Sequence, residues 1–132
     1  MSMNNLRLFL AILASPVLTL GCATTLPKRT MNYDECESSE VCVVRGLATA
    51  RVGEHAPIVK LDLADGRCIN VSLPRQRWDE LRQNGPTETT VEGRVYLEPT
   101  GPNGEEEIIE INGRRIGYGL CGRFFVYVPD GQ

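Results

Sequence analysis

Two segments that alternate apolar and polar residues, joined by a turn signal, most strongly limit the folds open to this chain. Residues 57–64 and 67–73 both alternate, and the Asp65-Gly66 pair between them is typical of a tight β-hairpin turn. The side chains expected to face the interior are Val59, Leu61, Leu63, Ile69, Val71 and Leu73. A hairpin with one apolar face must be covered by other elements, so the pattern predicts a mainly β fold and argues against a helix bundle.

The rest of the chain supplies the other elements of a small β domain. Further strands are expected in residues 41–52, 89–98, 105–111 and 123–128. Gly46 interrupts the first of these strands and indicates a bulge or bend. Pro74 precedes a short helix that Gly85-Pro86 ends. In residues 89–98 the side expected to face inward is Val91, Gly93, Val95 and Leu97.

The order of these elements resembles that of small bacterial periplasmic proteins with an OB fold. The resemblance lies in the segments VRGLATARV, IVKLDLADGRCINVSLP and TTVEGRVYLEP. It implies a small OB-like β-barrel with one short helix, to which this chain adds an extra C-terminal strand. The alternative is an SH3-like or other small open barrel.

The N-terminus has the layout of an export signal. Arg7 precedes an apolar run over residues 8–20, which is shorter than the roughly 20 residues that a bilayer-spanning helix needs. The ending LTLGC resembles a bacterial lipoprotein box, which implies cleavage before Cys22 and acylation of that residue, with chains such as palmitate. The alternative is ordinary signal-peptidase cleavage after Ala23. We therefore expect residues 1–21 to be a signal peptide, residues 22–40 a lipidated cysteine with a flexible tether, and residues 41–132 the β-barrel domain.

Four cysteines remain after Cys22, an even number in a chain bound for an oxidising compartment. Two disulfide bonds are expected among Cys36, Cys42, Cys68 and Cys121. Strands lie about 4.8 Å apart, so a strand between Cys42 and Cys68 would place them too far apart for a bond that needs Cα atoms within about 7 Å. We favour Cys36–Cys42 with Cys68–Cys121 over Cys36–Cys68 with Cys42–Cys121.

Composition removes several classes of function. The net charge is −3, whereas nucleic-acid-binding domains concentrate positive charge, so no nucleic-acid partner is expected. The only histidine is His55, and no serine lies in a nucleophile motif. We therefore expect a protein that is not an enzyme, with no catalytic residues, metal or cofactor.

The outer face of the central strands is the natural place for a ligand, because OB barrels bind oligosaccharides and oligonucleotides on strands two and three and the adjoining loops. The residues expected on this candidate binding face are His55, Lys60, Asp62, Asn70, Ser72 and Tyr96. The sequence thus favours a non-catalytic protein anchored by lipid to the periplasmic face of the outer membrane, binding another envelope protein or a glycan. The alternative is a protein inhibitor of a periplasmic hydrolase, acting through the loop of residues 53–57 or 99–104.

Overall fold

Five strands form a closed β-barrel in a computed structural model that describes residues 28–53, 56–98, 109–117, 119 and 121–132. Its elements in chain order are α1 (Tyr33–Glu37), β1 (Val41–Val52), β2 (Pro57–Asp62), β3 (Cys68–Ser72), α2 (Arg75–Asn84), β4 (Thr87–Leu97), β5 (Ile109–Ile111), β6 (Arg114–Ile116) and β7 (Phe124–Tyr127). Around the barrel the strands run β1-β2-β3-β7-β4 and return to β1. The β3–β7 pair is parallel and the other four pairs are antiparallel. With α2 between β3 and β4, this is the order of an OB-like barrel.

The C-terminal strand has a different position from the one expected. It was predicted as an addition to the barrel, but β7 lies between β3 and β4 and closes it. The additional strands are β5 and β6, which form a separate hairpin between β4 and β7. Asn112 and Gly113 both have positive φ at its turn, as a tight turn of the I′ type requires.

Two close approaches inside the barrel require glycine. At Gly46 an added Cβ would lie 2.5 Å from the carbonyl oxygen of Asp62, and at Gly93 it would overlap the carbonyl oxygen of Tyr127. β1 pairs with β4 along its first half and with β2 along its second half, overlapping near Gly46. Gly46 lies next to the residues at which β1 changes its partner from β4 to β2, and the bend predicted at this glycine stays a prediction.

The interior is filled by the alternating side chains that the sequence predicted. Val59, Leu61, Ile69 and Val71 are fully buried, and Trp78 of α2 closes one end of the barrel. Its indole Nε1 donates a hydrogen bond of 3.0 Å to the carbonyl oxygen of Ile58. Leu97, at the end of β4, is an exception to this prediction: it was expected to face inward, but it is 71% exposed.

Part of the expected tether packs against the barrel. Within residues 31–37, Tyr33 and Cys36 are buried in the main core, and the Met31 amide donates a hydrogen bond to the Val43 carbonyl. Asn32 caps α1 by accepting from the Glu35 amide. Residues 31–40 therefore pack with the barrel domain, and the described residues contain two helices where one was expected.

Both disulfides have the favoured connectivity, Cys36–Cys42 and Cys68–Cys121. The first joins α1 to the start of β1, and the second joins β3 to the segment that precedes β7. No described helix is long and apolar enough to span a membrane. The segment expected to be a signal peptide, residues 1–21, and Cys22 lie outside the described residues.

Candidate functional site

The β5–β6 hairpin covers much of the outer face on which a ligand was expected. Ile116 lies over Phe125 and Tyr127 of β7 in a second apolar cluster, outside the barrel. The chain after the hairpin also lies close to β3, because an added Cβ at Gly119 would overlap the side-chain oxygen of Asn70. Strand β7 is consequently buried on both faces.

Arg114 joins the hairpin to the barrel. Its guanidinium donates hydrogen bonds to the carbonyl oxygens of Ser72, at 3.2 Å, and Val128, at 2.7 Å. It also forms a 2.8 Å ion pair with Asp130 and lies 4.4 Å from the ring centre of Tyr127. The Arg114 side chain is only 15% exposed, so its planar group satisfies several acceptors at a partly buried junction.

The six residues of the candidate binding face do not form one open surface. The expectation that Asn70 and Ser72 face solvent is wrong, because these outward-pointing residues are 1% and 4% exposed beneath the segment that carries the hairpin. Asn70 donates a hydrogen bond to Glu98. Lys60 and Asp62 remain at the surface of β2 and pair with each other at 3.2 Å. His55 lies outside the described residues.

Tyr96 was expected to offer an aromatic face to a ligand, but its ring is already in contact with protein groups. It stacks on Phe125 with 5.5 Å between ring centres, and the Arg94 guanidinium lies 5.8 Å from its centre. Tyr96 lines a shallow groove of about 310 Å³ that also includes Tyr127. Much of the stacking surface of Tyr96 is therefore used within the fold.

A different cleft, of about 300 Å³, opens where the hairpin meets α2 and the start of β2. Its apolar lining consists of Ala56, Pro57, Leu73 and Trp78, and its charged lining consists of Arg75, Arg114 and Arg115. Gly113 of the hairpin turn completes it. None of the described residues that line it is acidic, so an apolar floor is combined with cationic walls.

The three arginines of the cleft differ in how far the protein neutralises them. Arg75 forms an ion pair with Asp79 at 3.1 Å, and Arg114 pairs with Asp130. Arg115 is exposed, and its side chain forms no ion pair with any residue that the structure describes. Glu110 lies opposite Arg115 in the hairpin register but does not line the cleft. Arg115 is thus the one arginine of the described cleft lining without an ion pair to a described residue.

Trp78 is placed against this cleft by its own helix. Its ring is flanked by the guanidinium of Arg75 at 5.4 Å and by that of Arg82 at 5.5 Å, measured to the ring centre. Arg75 lines the cleft and Arg82 does not. The two arginines therefore contact the same indole from positions that differ in access to a ligand.

The sequence analysis missed this cleft, although a signal for it was present. Asn112-Gly113 between Ile111 and Arg114 is a two-residue turn signal as strong as Asp65-Gly66, and it predicts a hairpin with two arginines directly after the turn. The return of that hairpin onto α2 is a tertiary contact that local periodicity does not contain. Among the described residues, no group of His, Cys, Asp or Glu is arranged to hold a metal ion. The loops suggested for an inhibitor, residues 53–57 and 99–104, lie largely outside the described residues.

Fold and site together define an OB-like, disulfide-linked barrel whose C-terminal hairpin covers the outer face of β3 and β7 and forms an arginine-lined cleft with α2. Comparisons with family models, with curated proteins and with solved structures find no match to this chain.

Proposed function

We propose that this protein is a non-catalytic, lipid-anchored component of the bacterial cell envelope that binds another envelope protein or a glycan through the cleft between the β5–β6 hairpin and α2. The observation that carries the proposal is a ready-formed cleft with an apolar floor and an exposed arginine, Arg115, that forms no ion pair with a described residue. Sites of this composition, mostly apolar with a few placed polar groups, are those that bind ligands in proteins.

The rigidity of the surrounding structure supports a binding role. The cleft lies between elements fixed to a closed barrel, and Arg114 holds the hairpin wall to β3 and to the chain after β7. A site that is already ordered loses less conformational freedom on binding, so more of its contact energy is expressed as affinity.

Anchoring by Cys22 is the second part of the proposal, and its support is the sequence LTLGC after an apolar run. Two or more acyl chains hold a protein stably at a membrane, where one chain gives marginal binding. In cells that produce the full chain, Cys22→Ser is expected to yield unprocessed or mislocalised protein. Cys68→Ser with Cys121→Ser keeps Cys22 and controls for general loss of export. Normal processing and membrane recovery of Cys22→Ser would contradict lipid anchoring.

Binding through the cleft is tested by placing a photoreactive amino acid at position 57 of the full chain in the native envelope. We expect irradiation to yield one discrete adduct with a protein or glycan, because Pro57 lines the cleft and its replacement leaves the three arginines in place. The matched control is the same group at Gln83, an exposed residue of α2 that does not line the cleft and should give no such adduct. Identical adducts at both positions, or none at 57, would contradict the proposed site.

The non-catalytic part has a separate test. Purified native protein and His55→Ala are compared on a panel of peptidoglycan, ester and peptide substrates. Equal inactivity is expected, and turnover by the native protein that His55→Ala abolishes would show an enzyme.

A further inference from the structure

From the charge and shape of the cleft between the β5–β6 hairpin and α2, we infer that it binds a carboxylate group carried on a short apolar segment. The inference rests on the proposed binding function and names the chemical class of the ligand. Its physical basis is the juxtaposition of Arg115 and Arg75 with an apolar floor that includes Leu73 and Trp78.

The charge of the ligand follows from the ion pairs around the cleft. Arg75 and Arg114 are each paired with an aspartate, so their positive charges are largely balanced. Arg115 forms no ion pair with a described residue, and Glu110, which lies opposite it in the hairpin, does not line the cleft. A single negative charge on the ligand completes the pairing, whereas a doubly charged phosphate would leave one negative charge without a counterion.

Guanidinium geometry selects the group that carries this charge. The planar fork of an arginine matches the two oxygens of a carboxylate and forms two parallel hydrogen bonds with it. Arg115 is directed by a short strand of the hairpin that Arg114 fixes to the barrel, so its backbone is held at the rim of the cleft.

The apolar floor of the cleft indicates that the ligand carries an apolar segment. Ala56, Leu73 and Trp78 are buried residues that contribute surface there, and covering such surface with an apolar group is favourable. A volume of about 300 Å³ is at the small end of ligand sites. It accommodates one amino-acid-sized unit, as at the carboxyl end of a peptide or on an acylated acidic sugar.

Trp78 gives a direct readout, because it is the only tryptophan in the chain and it lines the cleft. We would titrate the purified, oxidised domain with N-acetyl-leucine and follow tryptophan fluorescence, together with the indole N–H resonance. Saturable binding is expected with a dissociation constant on the order of millimolar, as befits a ligand of about a dozen non-hydrogen atoms.

Two neutral or truncated probes separate the parts of the inference. N-acetyl-leucinamide keeps the apolar segment without the charge, and acetate keeps the carboxylate without the segment, so each should bind at least about tenfold more weakly. If N-acetyl-leucinamide binds as tightly as N-acetyl-leucine, the cleft does not require a carboxylate. If acetate binds as tightly as N-acetyl-leucine, the cleft does not require the apolar segment. Either result would overturn the inference. Tighter binding of inorganic phosphate than of N-acetyl-leucine would also overturn the inference.

Matched arginine variants locate the site. Arg115→Ala should weaken N-acetyl-leucine binding by about tenfold or more, since a charged hydrogen-bonded pair is lost, and Arg115→Lys should retain part of the affinity. Arg82→Ala is the control, because Arg82 contacts the same indole outside the cleft. Equal losses in Arg82→Ala and Arg115→Ala would overturn the location. A specific photoadduct at position 57 without carboxylate binding would leave the proposed function standing and remove only this ligand class.

Discussion

Arg114 is the residue whose loss should disturb the fold most among the surface cations. Arg114→Met keeps much of its length but removes every hydrogen bond to Ser72, Val128 and Asp130. Because Ser72 and Val128 are buried, the free energy of unfolding should fall by about 2–3 kcal/mol, and Arg114→Lys should recover part of it. Urea denaturation measures the change.

The adjacent Arg115→Met is the matched control for this prediction. Arg115 is exposed, and its replacement should change the free energy of unfolding by no more than about 0.5 kcal/mol. Equal effects of the two substitutions would show that the contacts of Arg114 contribute nothing specific to stability.

At the scale of single residues, the sequence predicted the side of a strand to which a side chain points better than it predicted how exposed that side chain is. Alternation placed Val59 and Leu61 inward, as observed, because strand geometry alone decides on which side of the sheet a residue points. It could not show that Asn70 is covered, because the covering segment lies more than forty residues further along the chain. The prediction that Leu97 faces the interior is wrong for another reason: Leu97 lies at the end of β4, where little of the interior remains to cover it.

The β5–β6 hairpin is a separate element resting on the barrel, and its contact with β7 is centred on Ile116. That side chain is 1% exposed in a cluster distinct from the barrel interior. Ile116→Ala should therefore cost about 2–4 kcal/mol of hairpin docking. Amide hydrogen exchange should accelerate in residues 109–116 while the amides of Val59 and Val71 stay protected, as expected for a locally opening unit.

The corresponding change inside the barrel serves as control for the hairpin prediction. Val71→Ala removes volume from the main core and should accelerate exchange throughout the barrel strands. The same exchange pattern for Ile116→Ala and Val71→Ala would contradict an independently opening hairpin.

Helix α1 contributes a dependence of stability on alkaline pH. Burial raises the pKa of Tyr33 above its ordinary value of 10.0, and the carboxylate of Glu37 adds to the shift, while Arg123 and Arg67 oppose it. The folded state thus favours the neutral phenol, so this contribution is complete below about pH 10 and is lost as the pH rises through the folded pKa.

Tyr33→Phe tests this linkage, since it retains the ring that packs 5.1 Å from Phe124. Compared with the native chain, it should lose less stability between pH 9 and pH 11 in urea denaturation. Parallel curves for native chain and Tyr33→Phe would contradict the linkage.

Helix α1 lies in a segment whose composition does not predict a helix. Residues 22–40 are polar and turn-rich, which is typical of a linker. Tyr33 and Cys36 are nevertheless buried, because the bond to Cys42 holds five helical residues against β1. A helix this short is not stable alone, so only the tertiary contact decides that it forms.

For the molecule as a whole, the two disulfides should differ in their effect on stability. Cys68–Cys121 spans 53 residues and Cys36–Cys42 spans six, and a longer closed loop restricts the unfolded chain more. Replacing both cysteines of a pair by serine should cost about 4 kcal/mol for the long loop and about 2 kcal/mol for the short one. Urea denaturation of the two double variants measures both values, and a reversed order would contradict this prediction.

The parallel pairing of β3 with β7 also constrains how the polypeptide can mature. Strand β7 is the last of the five to leave the ribosome, yet it occupies the gap between β3 and β4. A nascent chain that lacks residues 124–127 has two unpaired strand edges and no closed interior. The barrel can therefore close only after residues 124–127 have been synthesised, so its interior forms from all five strands together and not one strand at a time.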